Sequence, residues 1–488
     1  MPQGARMTST IQMPIWALVL LLAFAAVTFA SHFLFPSVRW FFRRRLERAV
    51  ERLNKRLTRP IEPFKLARRH DMIQRLVYDP EVTQAIVDYA RRHNVREDVA
   101  FEKARSYARE IVPSFSAFAY FSFGTRLARW LAGTLYDVWT GPDNSALLEE
   151  IDRDATVIFI MNHRSNMDYV LVTMLAAQAS ALSYAVGEWA RVWPLSRLIK
   201  SMGAYFIRRR SRGGLYRTVL ARYVQMSTAG GVTHAIFPEG GLSLDGRVRP
   251  PKLGLLSYVV DAYIPGGRDV VFVPVAINYD RVLEDRVLVA ACQRGDRRFG
   301  ARMSVILGFV LRMAWNRLRG RFHKFGTAAV VFGPPIRMSD QDSAPELDRL
   351  ATDLMHRIQH EMPVLFVPLL ARVLLRADGP LDAPALLAGV TQQIAVANSP
   401  APPLLGEMSL SEMVERAQDL LARRGLIETA TGGWQATAAA RPLLSYYANS
   451  IAHFFEDGAN GDPKGCLSAP EPRRRLPEPE PENAAPAK

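Results

Sequence analysis

The chain has 488 residues, 49% of them hydrophobic and 22% charged, a balance that excludes a wholly disordered protein and suits one large domain with smaller attachments. Its formal charge is +15 and its isoelectric point about 10.0, which implies a polyanionic partner, either nucleic acid or an anionic lipid surface. Two cysteines, Cys292 and Cys466, are too few for a disulfide framework, and neither stands in a metal-ligand cluster.

Pro14 to Phe35 is nearly all apolar and carries no charge. About 22 residues rising about 1.5 Å each span roughly 33 Å, enough for a hydrocarbon core of about 30 Å, so a transmembrane helix is expected over 14–35. The run is long for a secretory signal, and no small-residue cleavage site precedes the arginines. Arg39, Arg43, Arg44, Arg45, Arg48 and Arg52 follow it while only Arg6 precedes it, which places the rest of the chain in the cytoplasm. Each such residue adds about 1 kcal/mol of attraction to an anionic leaflet.

Leu66 to Trp139 has helical periodicity. Its aromatic part, with Phe115, Phe118, Tyr120, Phe121, Phe123 and Trp130, reads either as a membrane-interface segment or as a buried core helix. From Gly141 to Pro335 strands alternate with helices. Strands are expected at Thr156 to Met161, Leu182 to Val186, Ala204 to Ile207, His234 to Phe237, Val270 to Ala276 and Ala328 to Phe332, with a helix from Gly214 to Ala229. This alternation predicts an α/β layered domain. Further helices are expected at Asp340 to Gln359, Leu381 to Ala397, Ser409 to Arg424 and Ala436 to Phe455, with Ser399 to Pro403 as a linker. The Pro- and Glu-rich end cannot form a core. The expected division is 1–38 with the span, 39–140 basic and helical, 141–340 α/β, 341–460 helical, and 461–488 a disordered tail.

Chemistry concentrates after the first strand of the α/β region, at Asn162-His163-Arg164-Ser165-Asn166-Met167-Asp168-Tyr169. On one continuous helix, residues five apart point about 140° away from each other, at about 3.6 residues per turn. His163 and Asp168 therefore meet only if the histidine lies in the turn and the aspartate in the first helical turn. There the carboxylate fixes the tautomer and leaves the second ring nitrogen as a base. A strand ending in Arg208, Arg209 and Arg210 supplies guanidinium groups suited to phosphate, although a solvated charge run reads the same way. Phe237-Pro238-Glu239-Gly240-Gly241 is a sharp turn that can present N–H groups to an anion, or simply end a strand. Val271 to Asp280 is an apolar strand broken by Pro274.

His163 and Asp168, with four residues between them in His-Arg-Ser-Asn-Met-Asp-Tyr, resemble the signature of the glycerolipid acyltransferases, and most closely their glycerol-3-phosphate acyltransferase branch. Gly203 to Arg210, Phe237 to Gly241 with Lys252 and Gly254 beyond, and Val273-Pro274-Val275 resemble the three further blocks of that family, in its order. The resemblance implies a mixed sheet flanked by helices. It also implies His163 as base with Asp168 orienting it, and Arg208, Arg209, Glu239, Gly240, Gly241 and Lys252 around the acceptor and its phosphate. Val273 and Pro274 would line an acyl channel. Leu242 departs from the pattern, standing where the family usually has arginine.

The implied reaction moves a fatty acyl group from acyl-CoA or acyl-carrier protein to the sn-1 hydroxyl of glycerol 3-phosphate, with no metal and no cofactor. Acylation of lysophosphatidic acid is the alternative. A non-catalytic, basic, membrane-tethered binding protein is the reading from another class. The expected partners are glycerol 3-phosphate, an acyl thioester and anionic membrane lipid, with no nucleic acid.

Overall fold

The computed structural model describes residues 14–16, 18–22, 48, 50–55, 57, 59–141, 144–176, 181–187, 195–208, 213–295, 315, 319–320, 323–341, 346–397 and 408–455. The chain divides into Met1–Pro60 and a second unit from Ile61 onward. In the first unit Ile15, Trp16 and Leu18 to Leu22 are helical and exposed. No helix among the described residues is long and apolar enough to cross a membrane. Most of the span expected over 14–35 lies outside the described residues, as do Arg39, Arg43, Arg44 and Arg45, the linker at 399–403 and the tail.

After a single helical turn at Pro63–Leu66, the second unit continues with three amphipathic helices, α1 (Arg69–Val77), α2 (Pro80–His93) and α3 (Glu97–Ile111). Asp79 caps α2 by accepting the N–H of Glu81, with Pro80 at the first helical position where a missing N–H costs nothing. Small residues line the buried stripe of α3, Ala100, Ala104 and Ala108, and let α1, α2 and the long helix α6 (Gly214–Ala229) approach closely. A π-helical turn (Ala119–Gly124) leads into α4 (Thr125–Leu135).

The sheet runs in the order β1-β7-β6-β2-β5-β3-β4, with β8 added beside β6. Its strands are β1 (Asp137–Thr140), β2 (Thr156–Met161), β3 (Ser183–Val186), β4 (Tyr205–Phe206), β5 (His234–Ile236), β6 (Val270–Tyr279), β7 (Thr327–Phe332) and β8 (Ile336–Arg337). Strands β6, β2, β5, β3 and β4 are parallel neighbours, whereas β7 and β8 run antiparallel to β6. All ten residues of β6 are buried, as a continuous Val/Ile run in the middle of a covered sheet should be. Pro274 fits inside it because its side of the strand faces the gap where pairing passes from β7 to β8, and only its carbonyl is used there, by Gly333 N–H at 2.8 Å.

Helices α5 (Met167–Ala176), α6 (Gly214–Ala229), α7 (Gly254–Val260) and α8 (Asp285–Gln293) belong to this layer. Beyond it come α9 (Leu347–His360), α10 (Phe366–Arg376), α11 (Ala383–Val396), α12 (Leu410–Ala422) and α13 (Arg441–Ala448). One hydrophobic core runs from Met72 to Phe454 through all of these layers.

Several expectations are corrected. The helical reading through Trp139 ends at Leu135, where Tyr136 turns extended (φ −132°, ψ 157°) and donates its hydroxyl to Arg281 O at 2.8 Å. Asp137 to Thr140 then pairs with β7, nearly 190 residues later, a partner that local periodicity cannot show. Helix α10 and the hairpin β9 (Ile427–Ala430) to β10 (Gly433–Ala436) were not expected, and Ala436 to Phe455 is broken into two 3₁₀ turns around α13.

Candidate active site

Strands β2, β5 and β6 are parallel, so the loops after them gather at one edge of the sheet. Asn162 extends β2 by one rung with its side chain: its amide donates to Ile277 O at 2.9 Å and accepts Ile277 N–H at 2.8 Å. The next residue, His163, is thereby set at the end of the strand. Its own N–H donates to Glu239 at 2.8 Å, and its carbonyl accepts Ser243 N–H at 2.8 Å. The loop after β5 thus holds the backbone of His163 on both sides.

Asp168 lies in the first turn of α5, and its Oδ2 is 2.9 Å from Nδ1 of His163. The same oxygen accepts Arg164 N–H at 2.7 Å and Ser165 N–H at 3.0 Å, while Oδ1 accepts the Tyr279 hydroxyl at 2.6 Å. The carboxylate is therefore fixed by the loop it orients, and Nδ1 is committed to it as donor. The imidazole packs on Phe237, centroids 4.1 Å apart, and meets Tyr169 edge-on. His163 is 2% exposed and Asp168 fully buried, so the pair is shielded from water.

Glu239 is buried, with one oxygen on His163 N–H and the other on Arg249 N–H at 3.2 Å. Burial pushes its carboxyl up to about 7, opposed by those N–H groups and by the Arg249 and Arg164 guanidiniums. It orients the His163 backbone and Arg249. Gly240 takes φ +66°, and a Cβ there would meet the Lys252 side chain at 2.8 Å, so this turn requires glycine. Gly241 gives its carbonyl to Arg249 Nη2 at 2.8 Å, as Leu242 does at 2.6 Å. Leu242 packs partly buried against the core. Lys252 is exposed, its N–H bonded to Pro238 O at 2.8 Å.

The structure does not bring the other expected residues to the pair in the same way. Arg208 stacks between Tyr107 and Tyr216 and makes a two-pronged ion pair with Glu110 of α3. Arg209 lies outside the described residues. Val273 and Pro274 are buried inside β6, opposite Phe159 and Ile160 of β2.

Three residues of the site were given no role from the sequence. Tyr279 is one. Glu284 is another, accepting the Ser165 hydroxyl at 2.7 Å and the Asn166 amide at 2.9 Å; burial raises its pKa. Arg164 is the third: it is 1% exposed, donates to Gly246 O at 2.6 Å and lies over Tyr446 of α13 at 5.2 Å. A polar loop residue that cannot reach solvent would have been the signal, but that is a fact of packing.

Residues 144–278 match the family model described as Acyltransferase, and 310–459 that described as Glycerol-3-phosphate acyltransferase C-terminal region. Over these two regions the chain is similar to the glycerol-3-phosphate acyltransferases. A glycerol-3-phosphate acyltransferase of Pseudomonas syringae pv. tomato is 30% identical over 56% of this chain and 32% of its own length. Another, from Xanthomonas campestris pv. campestris, is 26% identical over 84% of this chain and 48% of its own. The chain thus spans between about a third and a half of these relatives. The 1-acyl-sn-glycerophosphate acyltransferase of Thermotoga maritima aligns in structure with a TM-score of 0.31 at 20% identity, over 49% of this chain and 76% of that one. The two matched regions meet at Arg164, since Tyr446 belongs to the second.

Proposed function

We propose that the chain transfers a fatty acyl group from a thioester, acyl-CoA or acyl-carrier protein, to the sn-1 hydroxyl of glycerol 3-phosphate. The observation that carries the reading is the 2.9 Å contact of Asp168 with Nδ1 of His163, within a loop fixed at both ends. With Nδ1–H committed to Asp168, Nε2 is the basic nitrogen. It takes the proton of the acceptor hydroxyl as that oxygen attacks the thioester carbonyl, then returns a proton to the leaving thiol. Asp168 stabilises the imidazolium formed between the two transfers. The phenyl and phenol rings around His163 lower the local dielectric and strengthen that interaction.

The acceptor's phosphate would be met by Lys252 and by Arg209, which follows β4 in the sequence, with Glu239, Gly240 and Gly241 shaping the turn that holds His163. Val273 and Pro274 support the acyl site from within the sheet. The α/β portion is assigned to 141–340, the helical regions to 39–140 and 341–460, and the tail to 461–488. A single span over 14–35 tethers the body to the cytoplasmic face of the membrane, where anionic lipid attracts the arginines after it.

Acylation of lysophosphatidic acid at sn-2 is the second reading, favoured by Leu242, whose partly buried side chain leaves no guanidinium at that position. Membranes containing the protein, given radiolabelled glycerol 3-phosphate or lysophosphatidic acid with palmitoyl-CoA, distinguish the two, with His163→Ala as control. Product from glycerol 3-phosphate that vanishes in the variant supports the first reading. Product from the lysolipid alone moves the acceptor. Absence of His163-dependent product with either acceptor, and with acyl-carrier-protein donors, leaves a non-catalytic membrane-tethered binding protein.

A further inference from the structure

His163 and Glu239 follow the carboxyl ends of β2 and β5. At the opposite end of the sheet, where Ser183 opens β3 and Val232 precedes β5, lies a cavity of about 240 Å³. Its wall is built by the segment entering α1 and by the chain just after α3. Lys65, Arg68 and Arg69 line it, with Phe115, Ser183 and Tyr223, and no carboxylate is among its lining residues. Of the two acids that flank the segment in sequence, Glu62 is engaged by Arg268 at 2.9 Å, and Asp71 is exposed on α1, outside the lining.

The cations there are held by neutral groups. Lys65 Nζ donates to Ala181 O at 2.6 Å and sits 4.8 Å from the centre of the Phe115 ring. Arg69 donates Nε to Val112 O at 3.0 Å and a second nitrogen to Arg109 O. Burial, together with Arg109 beside it, lowers the pKa of Arg69, and burial alone holds the Lys65 amine well below the usual lysine range. Gathering like charges against an apolar ring without a counter-charge is unfavourable unless an anion completes the site.

We propose that this cavity is a second anion site, remote from His163, that takes the phosphate of a phosphomonoester or phosphodiester between Lys65 and Arg68, with the hydroxyls of Ser183 and Tyr223 at its wall. A phosphate oxygen offers Lys65 the charge-assisted bond that a peptide carbonyl cannot. Arg68 is exposed, so it meets the ligand at the mouth while Lys65 meets it inside. Binding favours the protonated form of Lys65 and covers it. Both effects lower the reactivity of its amine.

That reactivity is the test. The full chain in detergent is treated with limiting acetic anhydride, and acetylation of each lysine is read by peptide mass spectrometry. The treatment is repeated with inorganic phosphate, and with vesicles of phosphatidylglycerol or of phosphatidylcholine. Lys65 is expected to be acetylated in the free protein and protected several-fold by the anion, while Lys324 does not change. In Arg68→Gln the protection of Lys65 is lost, and any response of Lys252 at the acceptor site remains. Protection by inorganic phosphate assigns a free phosphate. Protection by phosphatidylglycerol vesicles alone assigns a lipid headgroup. Equal labelling with and without every anion overturns the proposal, as does equal protection in Arg68→Gln. So does a Lys65 that is never labelled, since the cavity would then be closed to small molecules.

Discussion

Tyr279 donates its hydroxyl to Oδ1 of Asp168 at 2.6 Å, while Oδ2 faces His163, so the carboxylate is held in one orientation from both sides. The phenol is fully buried, and burial together with the Asp168 charge raises its pKa well above the ordinary tyrosine range, which keeps it a donor. Tyr279→Phe removes that donor and keeps the ring contact with Tyr136 at 5.4 Å. The expected result is a kcat lower by about tenfold, equivalent to about 1.4 kcal/mol, with KM for the acceptor unchanged. Steady-state kinetics beside a melting curve checks it. A lower Tm with unaltered kcat would make the bond purely structural.

Glu239 should make stability depend on pH. Its carboxyl rises from 4.5 to about 7 on folding, so between those values the native state binds more protons than the unfolded one. Its contribution is fully present below about pH 4.5 and is lost as pH rises through about 7. The ceiling is about 3 kcal/mol, from about 1.4 kcal/mol per unit. Glu239→Gln removes the titration but places an amide where the carboxylate accepts two N–H groups, so the variant is less stable in absolute terms. The difference in Tm between wild type and variant should therefore shrink from pH 4.5 to 7. A difference that stays flat across this range contradicts the titration.

Much of this architecture was legible because it is local. Thr156 to Met161 and Gly214 to Ala229 occur as read, since a Val/Ile run and a 3.6-residue periodicity report the environment of their own residues. The His163–Asp168 contact was legible for a stereochemical reason: the pair can meet only across a loop-to-helix boundary. The missed elements depend on distant partners. β1 exists because β7 accepts it, and β8 because β6 has a free flank. Arg208 illustrates the same limit at the site. Its guanidinium was legible but its partner Glu110, 98 residues earlier, was not.

The turn at Ala119–Gly124 divides an aromatic segment into two faces. Tyr120 is buried, its hydroxyl accepting Leu182 N–H at 3.1 Å, whereas Phe118, Phe123 and Trp130 are 68%, 53% and 56% exposed. Exposed aromatics beside Arg126 and Arg129 suit a membrane interface. Replacing Phe118, Phe123 and Trp130 together by serine should lower partition of detergent-free protein onto anionic vesicles by roughly tenfold or more, from about 25 cal/mol per Å² of apolar surface. Cosedimentation measures it. Melting temperature should not change, because none of the three belongs to the core.

Arg164 separates stability from activity. It is 1% exposed and its side chain makes one hydrogen bond, to Gly246 O at 2.6 Å, while its Nε and Nη2 have no hydrogen-bond partner among the described residues. A buried charge so incompletely satisfied costs more than an apolar side chain of similar volume. Arg164→Met should therefore leave stability unchanged or raise it by about 1–2 kcal/mol. Arg164→Lys keeps the charge, loses the guanidinium placed over the Tyr446 ring, and should destabilise by about 3 kcal/mol. Both variants release the loop of His163 from Gly246 and α13, and both should lose acyl transfer, with the fall in kcat rather than in KM. Melting curves and initial rates on the two proteins decide the matter. If methionine is the less stable of the pair, the guanidinium is satisfied in solution, and its tie to Tyr446 is then a stabilising contact rather than a positioning one.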